Sequence, residues 1–318
     1  MMKPCFASID VGTHTTRLLI AVPRNDRLEP VLKKRVITKL GFYFNSGPPG
    51  GEAGQLSDEG INSLVDTLSQ YAQDMKTHKV KNYQAVATAV LREAKNREEI
   101  IELIKKKTGI QIKVISGEFE AELTTKGVLS TLEIPQKSTL IADIGGGSTE
   151  LIWENKKRKA VSLALGATHL TQSFLKHDPP LNQEIKEAFC KAKEVIQASN
   201  FPSPVFLVGT AGSISTLAAL DLKMTVYQPH LINGHILTKN SIETIFSTLC
   251  SMNAQQRLTL PGLEPGREEI ILGGSIIALC LLELFHQDRM IVSEGGLLEG
   301  VLVDYLFKNE GKKYKFLI

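Results

Sequence analysis

The first apolar runs along the chain are FASID (6–10) and TRLLIAV (16–22), set around a Gly/Thr turn. They predict a strand, a tight loop and a second strand, with a third strand expected at 34–40. Gly and Pro dominate NSGPPGGEAG (45–54), which reads as a mobile loop. Ser57 then opens a helix in which Ile61, Leu64, Val65, Leu68, Tyr71, Ala72 and Met75 recur at helical spacing. A strand is expected at 83–88. A helix should follow, with Asn96 and Glu99 as a capping box and Gly109 past its end. A strand at 112–115 runs into Ser116, the N-cap of a helix reaching about Leu129.

The opening pattern then returns. TLIADI (139–144), the loop GGGST and ELIW (150–153) form a second strand–loop–strand. Aligning IDVGTHTTRLLI (9–20) with ADIGGGSTELIW (142–153) gives four identities in twelve positions: Asp10/Asp143, Gly12/Gly145, Thr16/Thr149 and Leu18/Leu151. The shared residues are the turn-makers and a carboxylate, and each copy opens a comparable half of the chain, so the pattern reads as a duplicated domain. Helices near 181–199, 211–221, 241–252 and 267–286, a strand at 204–208 and a last helix from Leu297 to about 308 complete the chain. The tail GKKYKFLI reads as a basic surface extension.

Composition narrows the class. With 318 residues, the length suggests about two domains. An apolar share of 42% and a charged share of 22% exclude a disordered chain, a collagen and a coiled-coil rod. A net charge of +3 does not mark a nucleic-acid binder. No secretory leader is evident, and the longest apolar run, Ile276–Leu282, is far too short to span a bilayer. Neither nucleic acid nor membrane is therefore an expected partner. The four cysteines form no CxxC pair and read as free thiols in a cytoplasmic protein. The seven histidines are scattered, and His230 and His235 lack the partners of a zinc site.

The two hairpin loops carry the candidate chemistry. Glycine lets backbone N–H groups approach a ligand, consecutive N–H groups form an anion-binding nest, and Ser or Thr adds donors. Like charge keeps an Asp at the strand end off phosphate, but the same group suits Mg²⁺ or its waters. One such loop alone is an ordinary β-turn; two matched loops point to phosphate. Neither GxxxxGK[ST] nor GxGxxG is present. FLVGTAGS (206–213) is a third Gly-rich element, equally readable as an anion site or a plain β–α turn. His14 reads as an exposed loop residue. Glu118, Glu120 and Glu122 read first as dipole-compensating acids of a helix start, with activation of a water as the active reading.

Motifs over nearly the whole chain resemble the exopolyphosphatase/guanosine pentaphosphate phosphatase family, within the actin-like phosphotransferases. They are DVGTHTTRL (10–18), ATAVLREAKN (87–96), ISGEFEA (115–121), DIGGGSTEL (143–151), VGTAGSISTLA (208–218), PGLEPGR (261–267) and SEGGLLEG (293–300). The resemblance implies an α/β fold of two actin-like (ribonuclease H-like) domains with a cleft between them. The first would take 1–123 with 298–318, the second 124–297. It implies Glu120 as catalytic base, and Asp143 and Glu150 as ligands of Mg²⁺ or another divalent cation, with Asp10 a further candidate. Gly12, Thr13, Thr15, Arg17, Arg92, Gly145, Gly146, Gly147, Ser148 and Thr149 are the implied phosphate-binding residues. Phe119, His14, Leu298 and Ser213 depart from the family pattern.

The expected reaction is release of terminal orthophosphate from polyphosphate. Guanosine pentaphosphate is the alternative substrate on the same site. A small-molecule kinase and a non-catalytic phosphate-binding regulator are the other classes weighed. The absence of a sugar-binding segment speaks against the kinase, and the retained Glu120, Asp143 and Glu150 against the regulator. The family makes a homodimer a candidate assembly, and a chain of this length is expected to lack a further C-terminal domain. Lys33–Arg35 is a candidate basic track, whereas KKRK (156–159) reads as a solvated hairpin tip.

Overall fold

The computed structural model describes residues 4–45, 54–135, 138–154 and 159–316. In chain order the first elements are β1 (Cys5–Val11), β2 (Thr16–Arg24), β3 (Arg27–Val36), β4 (Phe44–Asn45), β5 (Gln55–Leu56), α1 (Asp58–Thr77), β6 (Val80–Ala87), α2 (Ala89–Glu93), α3 (Arg97–Thr108), β7 (Ile112–Val114) and α4 (Gly117–Thr131). Then come β8 (Thr139–Ile144), β9 (Thr149–Glu154), β10 (Lys159–Leu163), α5 (Ala167–Phe174), α6 (Asn182–Gln197), β11 (Phe206–Thr210), α7 (Gly212–Asp221) and α8 (Pro229–Ile232). The last are β12 (Ile236–Thr238), α9 (Lys239–Cys250), α10 (Ala254–Arg257), α11 (Ile271–Leu284), β13 (Arg289–Ser293), α12 (Leu297–Glu310) and β14 (Lys315–Phe316).

The chain divides into two compact units, Met1–Ser130 with Leu297–Leu317 and Thr131–Gly296. The first boundary falls at the end of α4, where the sequence reading put it at 123. In the first unit the strand order is β14-β3-β2-β1-β6-β7. Strands β1 to β3 run antiparallel as a meander, and β6 and β7 run parallel to β1. In the second the order is β10-β9-β8-β11-β13-β12. Again three antiparallel strands are followed by two parallel ones, with β12 antiparallel at the edge. Repetition of one strand order in both units carries the weak sequence duplication through to topology.

Alternation along β1 feeds two cores. Ala7, Ile9 and Val11 pack with Leu64, Leu68 and Tyr71 of α1 and Ile100 and Ile104 of α3. Phe6 turns to the other face and joins Leu298, Leu302 and Leu306 of α12. In the second unit α11 is apolar on all sides because it is enclosed by α5, α6, α7 and α9.

Several expectations are corrected. The third strand is Arg27–Val36, not 34–40. Asn25, at φ 57, turns the chain immediately after β2, so pairing starts at once. Asn96 does not cap α3. Its carboxamide accepts from the Leu56 N–H at 3.1 Å and donates to the Leu56 carbonyl at 2.9 Å, a two-point clasp on β5. The tail is not a surface extension: Lys315 and Phe316 pair with Arg27 and Leu28, and Tyr314 and Phe316 are buried. Gly109, at φ 74, ends α3 as expected, and the Ser116 hydroxyl accepts from the Phe119 N–H at 3.2 Å. The loop expected at 45–54 lies outside the described residues except at Asn45 and Gly54, as do 156–158 of the KKRK segment.

Candidate functional site

The two duplicated hairpins share their backbone geometry. In the first unit the Gly12 N–H donates to the Thr15 carbonyl at 3.0 Å, closing the turn between β1 and β2. In the second, the Gly145 N–H donates to the Ser148 carbonyl, also at 3.0 Å. A Cβ at Gly12 or Gly145 would sit 3.0 Å from that same carbonyl oxygen, a contact tighter than side chains usually make, so glycine suits both copies. These two N–H groups are therefore spent inside their loops. Among the described residues, nothing accepts from the N–H groups of Gly146, Gly147 and Ser148, as an anion nest requires.

Each loop is held from outside by different means. In the first, the Thr13 and His14 carbonyls accept from the Gly41 and Lys39 N–H groups at 2.8 and 2.9 Å. This overlying segment buries His14 to 3% exposure, and Phe42 lies beside its ring, so the exposed position expected for His14 is wrong. Tyr71 donates to the Thr16 carbonyl at 2.7 Å, and the Thr16 and Thr38 hydroxyls are 3.1 Å apart. In the second, the first turn of α5 does the holding. The Ala167 and Thr168 N–H groups donate to the Gly145 and Gly146 carbonyls, each at 2.9 Å. Gly166 makes this approach possible, since a Cβ there would meet the Gly146 carbonyl oxygen at 2.3 Å. The Thr149 hydroxyl donates to the Leu165 carbonyl.

The charged residues at the strand ends differ more. Asp10 is register partner of Arg17, whose Nε lies 4.0 Å from its carboxylate. At the equivalent positions Asp143 faces Glu150 across β8 and β9, and both are buried. Glu150 in turn faces Ser162 of β10, which donates to Glu150 Oε1 at 2.6 Å. Two buried carboxylates directly opposed across a sheet repel each other unless a cation or proton intervenes. Hard oxygen donors of this kind suit Mg²⁺, which often takes only one or two protein carboxylates and completes its shell with water and phosphate oxygens. Among the described residues no group of three His, Cys, Asp or Glu gathers as a fuller metal site.

Glu120 sits in the first turn of α4, 6% exposed. Arg92 Nη1 reaches its Oε2 at 3.0 Å and the Ile115 carbonyl at 3.0 Å. Thus Arg92, expected at phosphate, is also the partner of the expected base, a pairing no local pattern announces. Helix α4 is fixed by close approach of α12, where a Cβ on Gly300 would lie 1.8 Å from the Leu123 carbonyl oxygen. Leu298 is a core residue whose carbonyl accepts from Ser8 at 2.7 Å. Two residues of the basic track are paired within the protein: Lys33 with Glu299 at 3.0 Å and Lys34 with Asp74 at 2.8 Å.

The third Gly-rich element ends at α7. Ala211 holds φ 73, a region nearly reserved for glycine. A Cβ on Gly212 would overlap the Arg267 guanidinium, with Nη2 at 2.1 Å. Arg267 closes the PGLEPGR segment, and its link to Gly212 spans 55 residues, so no local pattern announces it.

Two sheets of one strand order, each with the same closed Asp-x-Gly hairpin, define a phosphate-handling α/β protein of the actin-like kind. The comparisons agree. Residues 19–309 match the Ppx/GppA phosphatase family, and the chain belongs to it. It is thus a hydrolase of phosphoanhydride bonds. It is 30% identical to exopolyphosphatase 2 of Mycobacterium tuberculosis, covering 93% of this chain and 96% of that one. It is 33% identical to a bifunctional 3-dehydroquinate synthase/phosphatase of Fusobacterium nucleatum, but spans only 46% of that protein. A guanosine-5'-triphosphate,3'-diphosphate pyrophosphatase of Aliivibrio fischeri is 26% identical, with 61% of its length covered. Among solved structures, the Aquifex aeolicus Ppx/GppA family member has a TM-score of 0.80 at 34% identity, covering 96% of this chain and 99% of that one. An exopolyphosphatase from Cytophaga hutchinsonii has a TM-score of 0.86 at 26% identity, covering 98% and 99%. No helix among the described residues is long and apolar enough to cross a membrane.

Proposed function

We propose that the chain hydrolyses the terminal phosphoanhydride of inorganic polyphosphate, releasing orthophosphate and a chain one unit shorter. The observation that carries this reading is the opposed pair Asp143 and Glu150, both buried, beside a loop with unused N–H groups. That is a seat for a cation and a phosphate together. Each unit has its own share of the work. In the second, Gly146, Gly147 and Ser148 hold the terminal phosphate oxygens through backbone N–H groups, and the Thr149 side chain braces the loop. Asp143 and Glu150 would hold Mg²⁺, which would supply charge neutralisation at those oxygens. In the first, Thr13, Thr15 and Arg17 contribute donors to the polyanion, with Asp10 kept neutralised by Arg17.

Glu120 takes a proton from the attacking water. As the new P–O bond forms, the bridging P–O bond breaks, and its electron pair leaves with the shortened chain. Arg92 fixes the orientation of the Glu120 carboxylate through Oε2. Polyphosphate is favoured over guanosine pentaphosphate because the polyphosphatase relative matches over 96% of its length, against 61% for the guanosine-type relative.

Two assays test this. Orthophosphate release by Glu120→Ala should fall by about a hundredfold to ten-thousandfold, the range for loss of a general base. Release at the wild-type rate removes Glu120 from the role. Parallel kinetics should give a higher kcat/KM for long-chain polyphosphate than for guanosine pentaphosphate, and the reverse order would transfer the reading to the nucleotide.

A further inference from the structure

Outside the phosphate loops the first unit holds a cavity of about 370 Å³ between β6, β7, α4 and the last turns of α12. Its size falls within the range of small-molecule sites. One wall is apolar: Val86, Leu123 and Val301 are each buried to 5% exposure or less. The other carries charge. The ammonium groups of Lys113 and Lys308 lie 5.3 and 5.5 Å from the Phe119 ring centroid.

The charge count around this wall is positive. Asp304 accepts from Lys126 at 2.7 Å and pairs with Lys308 at 2.9 Å. Burial pushes the Asp304 carboxyl up, and the two ammonium groups more than reverse it, leaving it below the usual carboxylate range. Lys126 is shared with Glu122. Three lysines thus face two carboxylates, and Lys113 has no ion pair among the described residues. An ammonium group against an aromatic ring keeps its charge available to an incoming anion. The exposed Asn309 also lines the cavity, and its side chain donates to the Tyr305 carbonyl at 2.7 Å.

We propose that this cavity binds a small organic anion with a flat apolar body, its charge between Lys113 and Lys308 and its body on Val86, Leu123 and Val301. The shared chemistry is that of an aryl carboxylate or a nucleoside monophosphate. The site is distinct from the candidate catalytic residues: Phe119 belongs with Val86, Leu123 and Val301, whereas Glu120 in the same turn belongs with Arg92. Phe119 is also where this chain departs from the family motif.

Isothermal titration of the full chain with guanosine monophosphate, 4-hydroxybenzoate and inorganic phosphate tests the site. At least one organic probe should saturate with a Kd below about 1 mM. Lys113→Gln and Lys308→Gln should each weaken that probe by about threefold, and the double variant by about tenfold. Both lysines are exposed, so the fold tolerates the change, and basal orthophosphate release should not move. The tighter of the two organic probes identifies the source of the anion. Three results would overturn the proposal: saturation by neither organic probe, a Kd unaffected by the double variant, or inorganic phosphate binding that is as tight as that of the organic anions and is weakened equally by the double variant.

Discussion

The hairpin loops at 12–15 and 145–148 are closed by the same 3.0 Å hydrogen bond, yet the residue opposite the aspartate has opposite charge. Asp10 faces Arg17, and Asp143 faces Glu150. Duplication supplied one backbone twice, and the position opposite the aspartate differs between the copies. In the first copy the carboxylate is neutralised within the protein. In the second a further carboxylate stands opposite the first, and both are buried. The supports diverge in the same sense. The 39–41 segment covers the first loop, while a helix start anchored at Gly166 grips the second.

The largest expected effect separates the copies directly. Asp143→Asn or Glu150→Gln should lower kcat about a thousandfold, because a bound cation supplies several kcal/mol at the reacting phosphate. Asp10→Asn should cost about tenfold, the order of one charged contact. Equal losses in orthophosphate release would erase the distinction. Next, Gly166→Ala should destabilise the protein by about 2–3 kcal/mol in denaturant unfolding, because the new methyl group meets backbone that cannot move aside. The first loop has no counterpart, so an unchanged midpoint would mean its grip is no firmer than the overlay.

Arg17→Gln should raise KM for polyphosphate by about tenfold with a smaller loss in kcat, since Arg17 meets the polyanion as well as Asp10. The smallest effect belongs to Tyr71→Phe, about 1 kcal/mol from one buried hydrogen bond to the Thr16 carbonyl. Burial pushes the Tyr71 phenol well above its ordinary 10.0. The raised folded value means this contribution is present below pH 10.0 and is lost as the pH climbs beyond it. A Tyr71→Phe stability difference that varied between pH 6 and 8 would contradict this.

Much of this was legible in the sequence, and the failures share a cause. The hairpins could be read because Asp, Gly and Thr act locally, and the strand-end carboxylates follow from spacing. Asn96 was misread because a capping box is a local signature, whereas its carboxamide is claimed by Leu56, 40 residues earlier. His14 looked exposed because nothing in the loop itself shows that 39–42 folds over it. The Arg92–Glu120 and Gly212–Arg267 contacts join segments whose proximity only the sheet order creates. Tyr314 and Phe316 were hidden among lysines, whose density suggested a tail rather than an edge strand.

The central claim is that the second loop alone seats the cation, and the Mg²⁺ dependence of orthophosphate release tests it most directly. Mg²⁺ is titrated at fixed polyphosphate for the unaltered chain, Glu150→Gln and Arg17→Gln. The account predicts that Glu150→Gln raises the half-saturating Mg²⁺ concentration by about tenfold or more, while Arg17→Gln leaves it where it was. An unchanged midpoint in Glu150→Gln, or an equal shift in both variants, would contradict it.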